Sequence, residues 1–153
     1  MPGLLCRDAA RRDIPVLAEF QLALADETED LKLDHPTVLA GVTAILDRPE
    51  RGRYFVAERE GRVVGGMLVT VEWSDWRNGE IWWLQSVYVR PDARRQGVFR
   101  SLHAHVREII GSQPDVHGLR LYVHTANQRA QATYAALGMS AGHYVVCEWM
   151  KRF

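Results

Sequence analysis

The sequence predicts a mixed α/β fold, antiparallel in its first half and built from strand–helix–strand crossovers in its second. Three observations carry that expectation. Apolar residues alternate with period two between Arg53 and Val89, broken only at Glu60-Gly61 and Asn78-Gly79. Two helical apolar stripes precede this region, one through Leu17, Phe20 and Leu24 and one through Val38, Leu39, Val42, Ile45 and Leu46. After Val89, helical and extended patterns alternate to the C-terminus.

The elements follow in order. Leu4 to Arg7 reads as a short first strand. Asp13 is placed to cap the first helix, which tolerates Pro15 in its first turn. The acidic connection ADETEDLKLDHP, Ala25 to Pro36, leads to a second helix that Pro49 ends. Strands are expected at Arg53 to Glu58, Val63 to Trp73 and Glu80 to Val89, with Gly65-Gly66 marking a bulge and Asn78-Gly79 a hairpin turn. A helix then carries Val98, Leu102, Val106, Ile109 and Ile110 inward and stops at Gly111. Gly118 to His124 is the next strand, Asn127 to Leu137 a helix closed by Gly138, and Tyr144 to Met150 the last strand.

Length and composition bound the function. The 153 residues suit one domain, residues 1–153, with no repeat, low-complexity tract or linker. Formal net charge is zero, from 19 basic and 19 acidic residues, so no global field recruits nucleic acid or an anionic membrane. No apolar run approaches the ~20 residues of a membrane span, and the N-terminus turns charged before a signal-type stretch develops. Cys6 and Cys147 match no metal-ligand spacing, and the six histidines are scattered, so neither a metal nor a disulfide framework is expected. A cytoplasmic location is the expectation.

The chemistry concentrates in SVYVRPDARRQGVFRSLHAHV, Ser86 to Val106, where a strand enters a helix. Packing needs no glycine there and no arginines at positions 94, 95 and 100. A helix N-terminus exposes unpaired N–H groups and a partial positive charge. Gly97 lets backbone approach a ligand, and the guanidinium forks of Arg94, Arg95 and Arg100 suit phosphate oxygens. The same residues also serve as a solvated helix end. The spacing matches neither the nucleotide-triphosphatase phosphate loop nor the dinucleotide-binding glycine fingerprint.

The segment LQSVYVRPDARRQGVF resembles motif A of the GNAT acetyltransferase superfamily, [Gln/Arg]-x-x-Gly-x-[Gly/Ala], with Arg94, Gly97 and Phe99 in the first, fourth and sixth positions. Downstream, VHTANQRAQATYAALGM resembles the family's second signature. The resemblance covers nearly the whole chain. It implies a mostly antiparallel, six- to seven-stranded sheet with helices on both faces and strands 4 and 5 splayed. It implies acetyl-CoA as cosubstrate, its pantetheine lying against the backbone of Val87, Tyr88 and Val89. The main chain of Arg95, Gln96, Gly97, Val98, Phe99 and Arg100 would hold the pyrophosphate, with the arginine side chains on phosphates or the adenosine end. Phe99 departs from the small residue usual at its position, so its ring must turn away from the phosphates.

The implied reaction is direct attack of a primary amine on the acetyl thioester, giving an N-acetyltransferase. An alkylammonium with a pKa of about 10 must first lose a proton, and the departing thiolate needs a donor. Tyr134 matches the family's tyrosine donor, and its other reading is an aromatic that packs a helix on the sheet. Asn127 matches the asparagine beside the pantetheine arm, and otherwise reads as a helix cap. No carboxylate occupies Trp82-Trp83-Leu84-Gln85, where many members carry a base. Glu80 at that strand's start is the nearest candidate, with Glu72, Glu27 and Glu29 further off. The lack of a strand carboxylate and the presence of Phe99 keep a non-catalytic acyl-CoA-binding or sensor module as the alternative.

The resemblance places the acceptor pocket between the first two helices and the facing hairpin, ADETEDLKLD and EWSDWRNGEIWW. Trp73, Trp76, Trp82 and Trp83 cluster there beside Glu72, Asp75 and Glu80, a composition that suits a cationic amine or a hairpin core equally. Trp82 and Trp83 must face opposite sides of their strand, so one of them at most lines a pocket. Homodimers formed through the last strands are common in the family.

Overall fold

A computed structural model describes residues 3–151. It divides into two compact units, one ending at Arg120 and the other starting at Leu121.

The first unit carries one five-stranded sheet in sequential order: β1 (Leu4–Asp8), β2 (Arg53–Arg59), β3 (Arg62–Ser74), β4 (Gly79–Val89) and β5 (Val116–Arg120). The first four strands pair antiparallel, and β5 lies parallel to β4. A parallel neighbour requires a crossover, here α3 (Val98–Ser112). Helices α1 (Ile14–Glu29) and α2 (His35–Asp47) bridge β1 and β2.

Two adjacent glycines in β3 show which helix lies on which face. A Cβ on Gly65 would stand 2.8 Å from Val98 Cγ1 of α3, and one on Gly66 would stand 2.9 Å from Leu17 Cδ2 of α1. Neighbouring strand residues point to opposite faces, so α1 and α3 pack on opposite faces of the sheet. Ile14, Leu17, Ala18 and Phe20 of α1 bury with Val42, Tyr54, Val56 and Tyr88 on one side. Leu102 and Val106 of α3 are fully buried. At about 25 cal/mol per Å² of apolar surface, each such side chain contributes roughly 1.5–3 kcal/mol.

The expected bulge in β3 falls at Val64, which is skipped where Ala57 pairs Gly65 and Glu58 pairs Val63. A second bulge, unforeseen, falls at Gln85: Leu68 pairs Ser86 while Val69 pairs Leu84. An extra residue bends its strand and breaks the ladder locally. The Glu60-Gly61 turn has φ 51° and 76°, the two positive values of a type I′ hairpin.

Five expectations are corrected. The six- to seven-strand estimate becomes five strands among the described residues. Tyr144 to Met150 has strand composition, but composition reports fit to a pleated surface and not the presence of a ladder. β5 ends at Arg120 and not His124, because its ladder with β4 stops at the Trp83–Arg120 pair. Asp13 makes no side-chain cap: its backbone is helical, and its carboxylate turns back to the Ala10 N–H (2.7 Å) and to Arg7 (2.8 Å). Finally, α3 runs through Gly111 to Ser112, since one glycine costs a helix only about 1 kcal/mol.

The second unit contains α4 (Gln128–Ala136), with Asn127 as its cap. Gly138 follows in the left-handed region at φ 85° and donates to the Ala135 carbonyl, closing the helix as expected.

Candidate active site

The sheet opens along β4. Its ladder with β5 runs from Glu80–Val116 to Trp83–Arg120, whereas its ladder with β3 continues to Val89. From Leu84 to Val89 the β5-side edge of β4 has no ladder partner among the described residues of this unit. Arg90 donates its N–H to Val64 on β3 at 2.9 Å. Bonding alternates along an antiparallel strand, so the main chain of Tyr88 also turns to β3, and that of Val87 and Val89 turns to the open edge. Of the three residues expected to meet pantetheine through backbone, Val87 and Val89 turn their main chain to the open edge and Tyr88 turns its main chain to β3. The Tyr88 side chain lies buried under α1.

The open edge leads into the turn before α3. A 3-10 turn, Pro91–Ala93, is followed by Arg95 at φ 62° and Gly97 at φ 78°. Left-handed residues in close succession gather main-chain N–H groups into a concavity suited to anions. Gly97 caps α3, and the first helical bond runs from the Ser101 N–H to the Gly97 carbonyl at 3.0 Å. The amides of Val98 and Arg100 precede that bond and lie outside the helical ladder. Concavity and helix N-terminus together fit a diphosphate.

The Phe99 ring follows the expectation for a bulky residue here. It is half-buried against its own helix, 5.9 Å from the His103 ring. His103 is itself buried, and burial holds its imidazole below its ordinary pKa. Val98 points into the core. Arg95, Gln96 and Arg100 are exposed.

Arg94 does not project as a free phosphate ligand. Its Nε donates to the Val89 carbonyl at 2.9 Å, its Nη2 to Glu27 Oε2 at 2.6 Å, and its guanidinium lies 5.3 Å from the Tyr88 ring centre. The Tyr88 hydroxyl donates to Glu27 Oε1 at 2.8 Å. The Tyr88 hydroxyl first, and Arg94 second, hold the Glu27 carboxyl below the usual range. Burial, reinforced by that bond, raises the Tyr88 phenol. Nearly two turns earlier on α1, Gln21 donates to Ser86 Oγ at 2.9 Å and to the Tyr54 hydroxyl at 3.2 Å. None of these pairings has a spacing signal in the sequence.

Glu80 lies elsewhere. It pairs with Trp73 where β4 is still laddered to β5, short of the open edge. The register through Val69–Leu84 and Val71–Trp82 puts it on the α3 face, opposite α1. There its Oε2 accepts from the Trp82 indole N–H at 2.9 Å. Its exclusion from the α1 side leaves Ile81, Trp83, Gln85, Ser86 and Tyr88 as the α1-side residues of β4, with no carboxylate among them.

The tryptophans do not form one wall. Trp82 is buried on the α3 face with the Arg53 guanidinium 5.7 Å from its ring, so the chain already supplies its cation. Trp73 shares that face, Trp83 takes the other, and Trp76 is 92% exposed at the hairpin tip. The acidic connection begins inside α1, whose last turn holds Asp26, Glu27 and Glu29. A shallow depression beside it is lined by Leu22, Ala23, Asp26, Lys32 and Leu33, with Lys32 paired to Asp26 at 2.5 Å.

In the second unit, Asn127 Oδ1 accepts the Ala130 N–H at 3.0 Å, the helix cap in full. Tyr134 sits half-buried on α4, and burial raises its phenol above the ordinary value, so it stays protonated at neutral pH. No cluster of metal-ligating side chains occurs among the described residues. None of the described helices is long and apolar enough to cross a membrane.

The comparisons with known proteins agree with this geometry. Residues 17–139 match the model of the acetyltransferase (GNAT) family. A crystal structure of a possible acetyltransferase from Clostridium difficile 630 is 37% identical, with a TM-score of 0.93 over 98% of this chain and 99% of that one. Aminoglycoside N-acetyltransferase AAC(6')-Iy in complex with CoA shares the fold at 20% identity, with a TM-score of 0.79 over 98% and 95% of the two chains. So does the aminoglycoside acetyltransferase meta-AAC0020 from an uncultured soil metagenomic sample, bound to sisomicin, at 17% identity, with a TM-score of 0.77 over 99% and 97%. A search of the curated proteins returns no match. A family match over most of its length makes this chain a member of the acetyltransferase (GNAT) family.

Proposed function

We propose that the protein is an N-acetyltransferase that moves an acetyl group from acetyl-CoA to a primary amine by direct attack, both substrates being bound together. The observation that carries this is the continuity of the open β4 edge with the left-handed turn at Arg95 and Gly97. Val87 and Val89 offer pantetheine a strand edge, and the amides from Arg95 to Arg100 offer its pyrophosphate a seat. Acetyl-CoA supplies the activated acyl carbon and a thiolate leaving group.

The chain's residues then have separable tasks. Arg95 and Arg100, both exposed beside the turn, supply charge for the phosphates. Arg94 sets the turn against Val89 and α1 rather than contacting phosphate. Asn127, by its place in the second motif, steadies the pantetheine arm, and Tyr134 protonates the departing sulfur. Glu80 is poorly suited to accept the amine's proton, given its face and its tie to Trp82. Water beside Gln85 and Ser86 carries that proton out, or the amine arrives neutral. The acids near the end of α1 favour a cationic acceptor. Residues 1–153 are read as one acetyltransferase domain, acting in the cytoplasm without metal.

The test is calorimetry with acetyl-CoA, followed by CoA-thiol release across an amine panel that includes polyamines, aminoglycosides and N-terminal peptides. Saturable binding with turnover of at least one amine is expected. Absence of binding would end the reading. A second reading, a non-catalytic acyl-CoA-binding module, is favoured by the lack of a carboxylate on the α1 side of β4. Tight binding with no turnover of any amine would select it.

A further inference from the structure

The turn that forms the diphosphate seat is conformationally costly. A left-handed backbone at a non-glycine residue such as Arg95 costs roughly 1 kcal/mol or more, and persists only where the surroundings over-determine it. The sequence of the turn itself does not do so, because Arg95, Gln96 and Gly97 are all exposed and bury nothing.

Arg94 ties one side of the turn to Val89 and Glu27, and the hairpin between β2 and β3 restrains the other. Arg59 closes β2 and Arg62 opens β3, flanking the tight Glu60-Gly61 hairpin. Arg59 Nη1 donates to Gln96 Oε1 at 2.6 Å, and Gln96 Nε2 donates in turn to the Asp92 carbonyl at 2.9 Å. Arg62 Nη1 donates to Asp92 Oδ2 at 2.7 Å. The two arginines thus hold the turn at both of its ends, residues 92 and 96, with Arg95 between them. They also hold the Gln96 side chain back against Asp92. Arg59 Nη2 is shielded from solvent with no hydrogen-bond partner among the described residues.

We infer that Arg59 and Arg62 are positioning residues for the cofactor turn: they fix the left-handed backbone at Arg95 and Gly97 so that its amides stand ready for the diphosphate. The inference rests on the acetyl-CoA reading for its functional consequence. The restraint on the turn is open to test without any ligand.

Two measurements on the full chain separate these layers. Amide hydrogen exchange of the ligand-free protein reads the turn directly. Arg59→Ala should accelerate exchange of the Ala93 and Ser101 amides, whose bonds to the Arg90 and Gly97 carbonyls close the two ends of the turn, about 10-fold while leaving β2 and β3 unchanged, and Arg59→Lys, which keeps a donor, should recover much of the protection. Steady-state kinetics reads the consequence. Arg59→Ala should raise KM for acetyl-CoA about 5- to 10-fold with kcat within 2-fold, as expected where a hydrogen bond to a charged group is lost. Arg59→Ala should raise KM less in a Gln96→Ala background than in the parent, because both variants lack the Arg59–Gln96 bond. Arg62→Ala, at the other end of the turn, should give a smaller rise of the same kind. Unchanged exchange at Ala93 and Ser101 overturns the inference even if acetyl-CoA binds. Altered exchange in a protein that binds no acetyl-CoA overturns the functional reading and leaves the restraint standing. Independent, multiplying effects of Arg59→Ala and Gln96→Ala would also overturn it.

Discussion

Arg94 Nη2 lies 2.6 Å from Glu27 Oε2, joining residues 67 positions apart and tying the last turn of α1 to the first residue of the acetyltransferase motif. The same arginine holds the Val89 carbonyl at the open edge of β4. One side chain therefore links the element nearest the proposed acceptor to the strand edge proposed for pantetheine. Glu27→Ala should raise KM for acetyl-CoA a few-fold and shift stability little, since an exposed ion pair is worth about 0.2–1 kcal/mol. Steady-state kinetics paired with a thermal melt checks both halves.

The same link gives a pH expectation. Tyr88 and Arg94 depress the Glu27 carboxyl, so the link is fully present above the ordinary carboxylate pKa of about 4.3 and is lost as pH falls through the lower folded value. Acetyl-CoA affinity measured by calorimetry should be flat from about pH 8 to 5 as far as this pair is concerned. A fall beginning near neutrality would show that another group governs the turn.

Gly97 stands at φ 78°, where an L-residue costs roughly 1–2 kcal/mol. Gly97→Ala should weaken acetyl-CoA binding by about 10-fold with the fold retained, and Gly97→Asn, which tolerates that conformation better, should lose less. The ordering of the two variants in calorimetry is the test, and equal affinity for all three proteins would remove the turn from the site.

Much of this architecture was legible in the sequence, because period-two and period-3.6 patterns report which face is buried. The four antiparallel strands, α1 to α4 and the strand-to-helix junction at Gly97 all come from local pattern and local chemistry. What escaped was long-range or depended on a ladder. The Gln85 bulge has no marker, since glutamine is an ordinary strand residue on a solvated face. The reach of Arg94 back to Val89 and Glu27, and of Arg59 to Gln96, is a property of the folded neighbourhood and leaves no spacing in the chain. Glu80 was attractive by nearness in sequence alone; the register then put it on the α3 face beside Trp82. Tyr144 to Met150 shows the converse, with strand composition and no ladder recorded for it.

The glycine pair in β3 makes a stability prediction in which the two faces can be compared. A Cβ at Gly65 meets Val98 Cγ1 at 2.8 Å and the Tyr88 carbonyl at 3.3 Å, while one at Gly66 meets only side chains of α1, Leu17 and Phe20. Overpacking costs typically 1–3 kcal/mol, more where backbone must move. Gly65→Ala should therefore lower Tm more than Gly66→Ala, by roughly 2–4 °C per kcal/mol for a chain of this size. It should also weaken acetyl-CoA binding, because Val98 begins the helix that carries the proposed diphosphate seat.

Tyr134 separates chemistry from binding. Its phenol is raised by burial and remains a donor across the neutral range, which is what a departing thiolate requires. Tyr134→Phe preserves the ring and removes only the hydroxyl, so α4 should keep its packing and the Tm should move by about 1 kcal/mol of stability or less. If the hydroxyl protonates sulfur, kcat should fall about 100-fold, the lower end for a positioned general acid, with the calorimetric affinity for acetyl-CoA within 2-fold of the parent. The loss should shrink with acyl donors whose thiol is more acidic, because a better leaving group needs less help. An unchanged kcat, or a loss insensitive to the leaving group, would return Tyr134 to the role of a packing residue on α4.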